Sequence, residues 1–439
     1  MKKKLKTNFA ALVIVYLIVT VLSSCSQSDQ NTDADVSVSL GNAPEPYESK
    51  KSEVIRVEPK GESKSTPTVI PTPTVIPAPT VIPAPTVTPE PTPVVPRTAT
   101  LVFTGDILSH GPVIRKALMN GDSSTSYDYT PMFTQVRNLL GQADLAICHL
   151  ETPVSSDNLS LSGYPIFNAP RELPSDLRTV GYDGCSTASN HSMDKGPDGV
   201  RSTIEQLEQA GVKWAGMSRN ASEQATPTVY IRNGILIGHL SYTYGLNGFV
   251  LPSEQPYLVN VIDAEVILDE ASRMRAVGVD FVVLSLQWGN EYQVNPSSAQ
   301  EELAELLLYS PAIDLIVGSH VHVVQPVGMV NGKYVIYGLG NFVSNQSVNC
   351  CPAASQNGVM VYVDISGTGQ DGYRADNVSF VPTRVDRSDY TIVPLSIAVT
   401  DERLDPSLKS LYLDVIESTT KVINQLGGNY QIRNFDSVD

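Results

Sequence analysis

The 439 residues carry 46 acidic against 30 basic side chains, a formal net charge of −16 at pH 7. Phosphate recognition needs clustered Lys and Arg, and no such cluster exists downstream of the amino end, so nucleic-acid binding is excluded. The length suits one large domain or two ordinary ones, but 11 of the 31 prolines crowd into residues 67–96 and shorten the foldable part.

At the amino end, Lys2, Lys3, Lys4 and Lys6 precede an apolar run over residues 9–22. The run is short for a membrane-spanning helix and has the form of an export signal. Leu22-Ser23-Ser24-Cys25 follows it and resembles a bacterial lipoprotein box, in which the Cys receives a diacylglyceryl group before cleavage. Two acyl chains anchor stably where one is marginal. The expectation is a signal peptide over residues 1–24 and a lipidated Cys25 that ties the chain to the outer face of the cytoplasmic membrane. Pro-Thr-Val-Ile-Pro then recurs at Pro67, Pro73 and Pro79. At about 3.1 Å per residue, roughly thirty such residues form a polyproline II spacer of about 90–100 Å. Residues 25–97 therefore read as a disordered and proline-rich stalk.

The foldable part opens on a β-rich run, 99–104, that ends at Gly105-Asp106. A helix is expected over 131–140, then a strand over 144–150 that ends at Glu151. A strand over 182–187 leads to Asn190-His191, and a helix over 197–210 has Pro197 in its first turn and Gly211 just past its end. Asn233-Gly234 and Asn331-Gly332, each between short apolar runs, signal two hairpins. Between them lie a helix over 263–276, a buried strand over 279–287 and a helix over 298–308, where Ser298 and Glu301 have capping-box spacing. The strand 313–317 opens into Gly318-Ser319-His320-Val321-His322. Strands near 359–365 and 378–381 and an amphipathic helix over 406–426 complete the chain. Alternating strands and helices with added hairpins predict an α/β fold, a layered α/β sandwich with mixed sheets. The domain is expected at 98–395, with a helical extension at 396–439.

Polar residues stand directly after the apolar runs: Asp106, Glu151, Asn190 with His191, Gln287, and His320 with His322. Only six histidines occur in the chain, and two share the last of these loops. Ligands collect at the carboxyl ends of strands in open α/β sheets, so the recurrence points to convergence on one site with oxygen and nitrogen ligands for a cation. Cys148 and His149, adjacent on one strand, face opposite ways and form no dyad. Neither a nucleophile elbow nor a Gly-Lys-Ser/Thr phosphate loop is present. Pairing among Cys148, Cys185, Cys350 and Cys351 is open, because four cysteines allow three connectivities.

Phe103-Thr104-Gly105-Asp106, His149-Leu150-Glu151-Thr152-Pro153, Ser189-Asn190-His191-Ser192-Met193-Asp194, Gln287-Trp288-Gly289, Gly318-Ser319-His320-Val321-His322 and Gly340-Asn341-Phe342 resemble the successive blocks of the CapA family. These are poly-γ-glutamate capsule synthesis proteins whose fold is similar to calcineurin-like metallophosphoesterases. The resemblance covers about residues 98–345. It implies that Asp106 binds one metal, that Glu151 bridges two, that Asn190 and Gln287 are ligands, and that His320 and His322 each serve one ion. It also implies that His191 is a general acid oriented by Asp194. Two departures stand out: the family more often has His where Gln287 stands, and metallophosphoesterases have His where Leu108 stands. An oxygen-rich shell favours manganese or magnesium over zinc. The expected function is a surface lipoprotein in synthesis, assembly or export of an anionic polymer such as poly-γ-glutamate, with the capsule synthesis machinery as partner. A metal-dependent hydrolase of phosphoesters or another linkage, and a non-catalytic binding module on the same fold, are the alternatives.

Overall fold

Fifteen strands alternate with helices in the computed structural model, which describes residues 95–435. The leader, Cys25 and nearly all of the stalk lie outside the described residues. In chain order the strands are β1 (Arg97–Ile107), β2 (Leu145–Leu150), β3 (Gly184–Ser186), β4 (Lys213–Ala215), β5 (Thr228–Arg232), β6 (Ile235–Thr243), β7 (Phe281–Gln287) and β8 (Leu315–Ser319). They continue as β9 (Val327–Val330), β10 (Lys333–Ile336), β11 (Asn341–Val343), β12 (Asn357–Thr368), β13 (Gly372–Asp386), β14 (Thr391–Pro394) and β15 (Gln431–Ile432). One sheet runs β14-β13-β12-β1-β2-β3-β4, with β11 on β1 and β15 on β13; the other runs β5-β6-β7-β8-β10-β9. Both are mixed: β1, β2, β3 and β4 pair in parallel and β12 antiparallel to β1, while β6, β7 and β8 are parallel and carry hairpins at the edges.

Alternation along the strands assigns each residue to a layer. Leu101 and Phe103 of β1, Ile147 of β2, Ile237 of β6, Val283 of β7 and Val317 of β8 meet between the sheets. The intervening Val102, Ala146 and Cys148 face the opposite way, against Leu173 and Leu177 of the helix Leu173–Val180. Leu284 and Ile316 pack under the helices Ala264–Ala276 and Ser298–Tyr309. The result is the expected layered α/β sandwich with mixed sheets.

Local signals hold in detail at both hairpins, where Asn233, Gly234, Asn331 and Gly332 all have positive φ, as a two-residue loop of this kind demands. The helix Gly196–Ala210 ends at Gly211 in the left-handed region. Other expectations shift. The run 131–140 delivers its apolar stripe in two short pieces, Thr130–Phe133 and Arg137–Leu140. The capping box lies one residue earlier than the spacing suggested, at Ser297 and Gln300. The described part of the expected extension, residues 396–435, is joined to the domain: Ile423 is buried between the sheets, and β15 adds to β13.

Candidate functional site

The site forms where β1, β2, β3, β7 and β8 end. β1 and β2 run in parallel with Asp106 opposite His149, so the residue that follows Leu150, Glu151, emerges beside Asp106. At Gly105 a Cβ would lie 2.0 Å from the Gly340 carbonyl oxygen. Only glycine lets β1 approach that loop, and the contact seats the Asp106 N–H on Gly340 O at 2.8 Å.

β8 delivers the two histidines through Gly318, where a Cβ would meet Tyr337 O at 1.9 Å. His320 and His322 then take φ of 89° and 58°. Left-handed backbone in non-glycine residues persists only where packing enforces it, and such residues cluster at functional sites. His322 Nδ1 lies 3.0 Å from Asp106 Oδ2 and 3.1 Å from Asn341 Oδ1, and its Nε2 lies 3.8 Å from Glu151 Oε1. Burial opposes charge on this ring, but Glu151 and Asp106 outweigh it and push His322 up to about 9. His320 takes the other course: burial pushes it down to about 3, and its ring lies 4.4 Å from that of Tyr244.

Asp106, His149 and Glu151 each offer a ligand atom within 4.8 Å of the others, and all three are buried. Several of the donors lack any hydrogen-bond partner: Asp106 Oδ1, both Glu151 carboxylate oxygens, His149 Nε2 and His320 Nδ1. Buried polar atoms left unpaired are expensive, and unpaired carboxylates more so. Burial accordingly pushes Glu151 well above the ordinary carboxylate range. A divalent cation fits this set, because mixed carboxylate and imidazole donors are its usual ligands and the chain's own remedy is a single imidazolium at His322.

The remaining expected residues gather one loop away. His191 Nδ1 is 2.8 Å from Asp194 Oδ2, which also accepts the Phe167 N–H at 2.7 Å. A carboxylate only accepts, so Nδ1 carries the proton and Nε2 is left for another partner. Both residues line a cavity of ≈ 330 Å³ with Tyr164, Asn190, Asn247 and Glu291. Gln287, a ligand by the resemblance, is hydrogen-bonded to Asn190 and Thr243. Its Oε1 accepts from Asn190 N and Thr243 Oγ1 at 2.8 and 2.6 Å, and its Nε2 donates to Asn190 Oδ1 at 2.7 Å. The amide thus brackets Asn190.

His149 and Asn341 are the residues that sequence reasoning passed over. His149 belongs to β2 itself rather than to the loop after it, and its burial pushes it down to about 4. The same alternation that turns it towards the carboxylates turns Cys148 to the opposite, helix-covered face, where it forms a disulfide with Cys185 opposite it on β3.

A model of the family described as bacterial capsule synthesis protein PGA_cap matches residues 100–346. The chain is similar to the PGA biosynthesis protein CapA of Bacillus subtilis (strain 168), 27% identical over 248 residues that cover 56% of this chain and 63% of that one. It is also similar to the capsule biosynthesis protein CapA of Bacillus anthracis, 28% identical over 261 residues, 56% of this chain and 60% of the other. The chain therefore spans less than two thirds of the length of either relative. Among solved structures, a 5'-nucleotidase precursor from Thermus thermophilus aligns with a TM-score of 0.42 at 14% identity, covering 74% of this chain and 58% of that one.

Proposed function

The chain belongs to the bacterial capsule synthesis protein family, whose model spans residues 100–346, and on that premise we propose that it acts in assembly of an anionic capsule polymer of the poly-γ-glutamate type. It does so outside the cytoplasm, lipid-anchored through Cys25 and raised by its proline tract, with a divalent cation held by Asp106, Glu151 and the histidines around them. The observation that carries this reading is the set of buried, unpartnered ligand atoms: Asp106 Oδ1, both Glu151 oxygens and His320 Nδ1. The polymer is suggested by the names of the relatives, a PGA biosynthesis protein and a capsule biosynthesis protein.

A bound cation supplies Lewis-acid polarisation of a carbonyl or phosphoryl oxygen. The chain's own groups do the rest. Asp194 holds the His191 ring by Nδ1, which leaves Nε2 to give or take a proton at a ligand in the ≈ 330 Å³ cavity. Phe167, 4.7 Å from His191 in a T-shaped contact, fixes the plane of the ring. With a formal charge of −16, the protein repels a polyanion at long range, so contact depends on the cation. The His191–Asp194 pair also favours a second reading, a metal-dependent hydrolase that cleaves a phosphoester or polymer linkage.

The test is complementation of a deletion strain of a polymer-producing host. Wild type restores surface poly-γ-glutamate; Asp106→Ala and Glu151→Ala do not. Deletion without effect on surface polymer removes the capsule role. His191→Ala separates the two readings: full restoration leaves a cation-dependent binding protein, and loss favours catalysis. Mass spectrometry of the amino terminus checks the anchor, which a retained Met1 excludes.

A further inference from the structure

We propose that His149 is a ligand of the cation site and that Ser186 is the positioning residue that leaves its Nε2 free, so that β2 supplies the nitrogen that Leu108 cannot supply from the end of β1. The inference rests on the cation reading above and assigns a ligand beyond the set implied by the family resemblance.

Three observations carry it. The first is register: parallel pairing places His149 opposite Asp106 and two residues before Glu151, so strand geometry alone brings an imidazole to the two carboxylates. Leu108, two residues after Asp106, is apolar and buried and offers nothing to a metal. The second is the direction of the hydrogen bonds. Ser186 Oγ lies 3.3 Å from the Cys148 carbonyl oxygen, which can only accept, and 2.9 Å from His149 Nδ1. A serine hydroxyl has one hydrogen. Once that hydrogen goes to the carbonyl, Nδ1 must be the donor to Ser186, and Nε2 carries the lone pair. This is the usual arrangement of a ligating histidine, whose second nitrogen is held by an outer hydrogen bond that fixes tautomer and ring orientation. The third is the orphaned atom itself. His149 Nε2 is buried without a partner, within a residue that is only 3% exposed.

The chemistry of the cofactor follows from the donor. With His149 added to His320 and His322, the shell is no longer oxygen-rich, and imidazole nitrogen suits first-row transition ions better than magnesium. The class of ion is therefore a divalent transition metal of the manganese-to-zinc series.

The experiment uses the purified full chain, stripped of metal and titrated with Co2+, with visible ligand-field absorption as the readout and Mg2+ as competitor. Wild type takes up cobalt and Asp106→Ala loses it. His149→Gln weakens cobalt binding by about 10–100-fold and alters the absorption band, while Mg2+ binding changes little. Ser186→Ala, which keeps the imidazole, weakens cobalt by about tenfold, and Ser186→Thr, which keeps the hydroxyl, restores it. Cobalt affinity and spectrum unchanged in His149→Gln, with Asp106→Ala still deficient, overturn the ligand assignment and leave the cation reading standing. Absence of cobalt uptake by wild type removes that reading and this one with it. If His149→Gln does not fold, the Ser186 pair decides, and equal affinities in both variants and wild type overturn the positioning role.

Discussion

His239 shows how far a single buried side chain can bind stability to pH. It sits between the sheets with only 1% of its surface exposed, its Nε2 2.9 Å from Ser285 Oγ and its Nδ1 without a partner. Burial pushes it down to about 3 from an ordinary value of 6.5. The folded state therefore keeps the ring neutral at pH values where the unfolded chain takes up a proton. Its contribution is complete above pH 6.5 and is lost progressively as the pH falls towards 3, because the unfolded state then binds more protons. The slope in that window is about 1.4 kcal/mol per pH unit for one such group. Urea unfolding at pH 7 and pH 5.5 should show wild type losing roughly 1 kcal/mol more than His239→Gln over the same interval. Identical losses in the two proteins would show that His239 takes up its proton over the same pH range folded as unfolded.

At the level of elements, the glycine before the two histidines limits what the loop tolerates. A Cβ at Gly318 would lie 1.9 Å from Tyr337 O and 2.5 Å from Trp288 Nε1. Trp288 also donates to that carbonyl at 2.9 Å, so β8, the Trp288 loop and the chain after β10 are locked together. Gly318→Ala should cost about 1–3 kcal/mol through overpacking and should displace His320 and His322, which thermal unfolding and the imidazole NMR resonances would report. An unshifted melting temperature would mean that the backbone yields freely there. Such constraints explain what was legible in the sequence. Asn233-Gly234 and Asn331-Gly332 announce their turns because positive φ restricts residue choice, and the long helices announce themselves by period. The helix Gly111–Asn120 buries only Val113, Ile114 and Ala117, too few to mark a stripe. β4, β11 and β15 are three residues or fewer, so their pairing is decided by neighbours distant in sequence. Ser297 and Ser298 each precede a Gln or Glu by three residues, and only backbone geometry selects Ser297 as the cap. The site divides in the same way. Asp106, Glu151, His320 and His322 stand out because they follow apolar runs. His149 is hidden within one, and its partner Ser186 is contributed by a strand 37 residues away.

For the molecule as a whole, the carboxyl-terminal segment decides where the domain ends. Sequence composition suggests a break near residue 395, since the helix Pro406–Ile423 looks like an amphipathic appendage. Its attachments extend further. Ile423 is fully buried between the sheets, and Tyr430 and Ile432 pack against the same layer. β15 pairs with β13, Arg433 N donates to Phe380 O at 2.8 Å, and the Arg433 guanidinium lies 4.7 Å over the Tyr362 ring. Phe435 covers Tyr362 from the opposite core. Tyr412 and Val415 of the helix bury Val393 and Leu395. Emptying one large buried site costs about 2–5 kcal/mol, against a total stability of about 5–15 kcal/mol for a typical domain. A chain that stops at residue 395 loses several such contacts at once and uncovers β13 at Ser379 and Phe380, where β15 pairs, which invites strand pairing between molecules. The truncated protein should therefore accumulate as aggregate or show no cooperative unfolding transition, while Ile423→Ala in the full chain should unfold cooperatively but with about 2–5 kcal/mol less stability in denaturant. A soluble, cooperatively folding 1–395 protein would place the boundary where composition alone suggests it. Because β13 flanks β12 and β12 pairs with β1, loss of that cover would also reach the strand that carries Asp106. Metal uptake should then fail in the truncated chain even where some of it remains soluble.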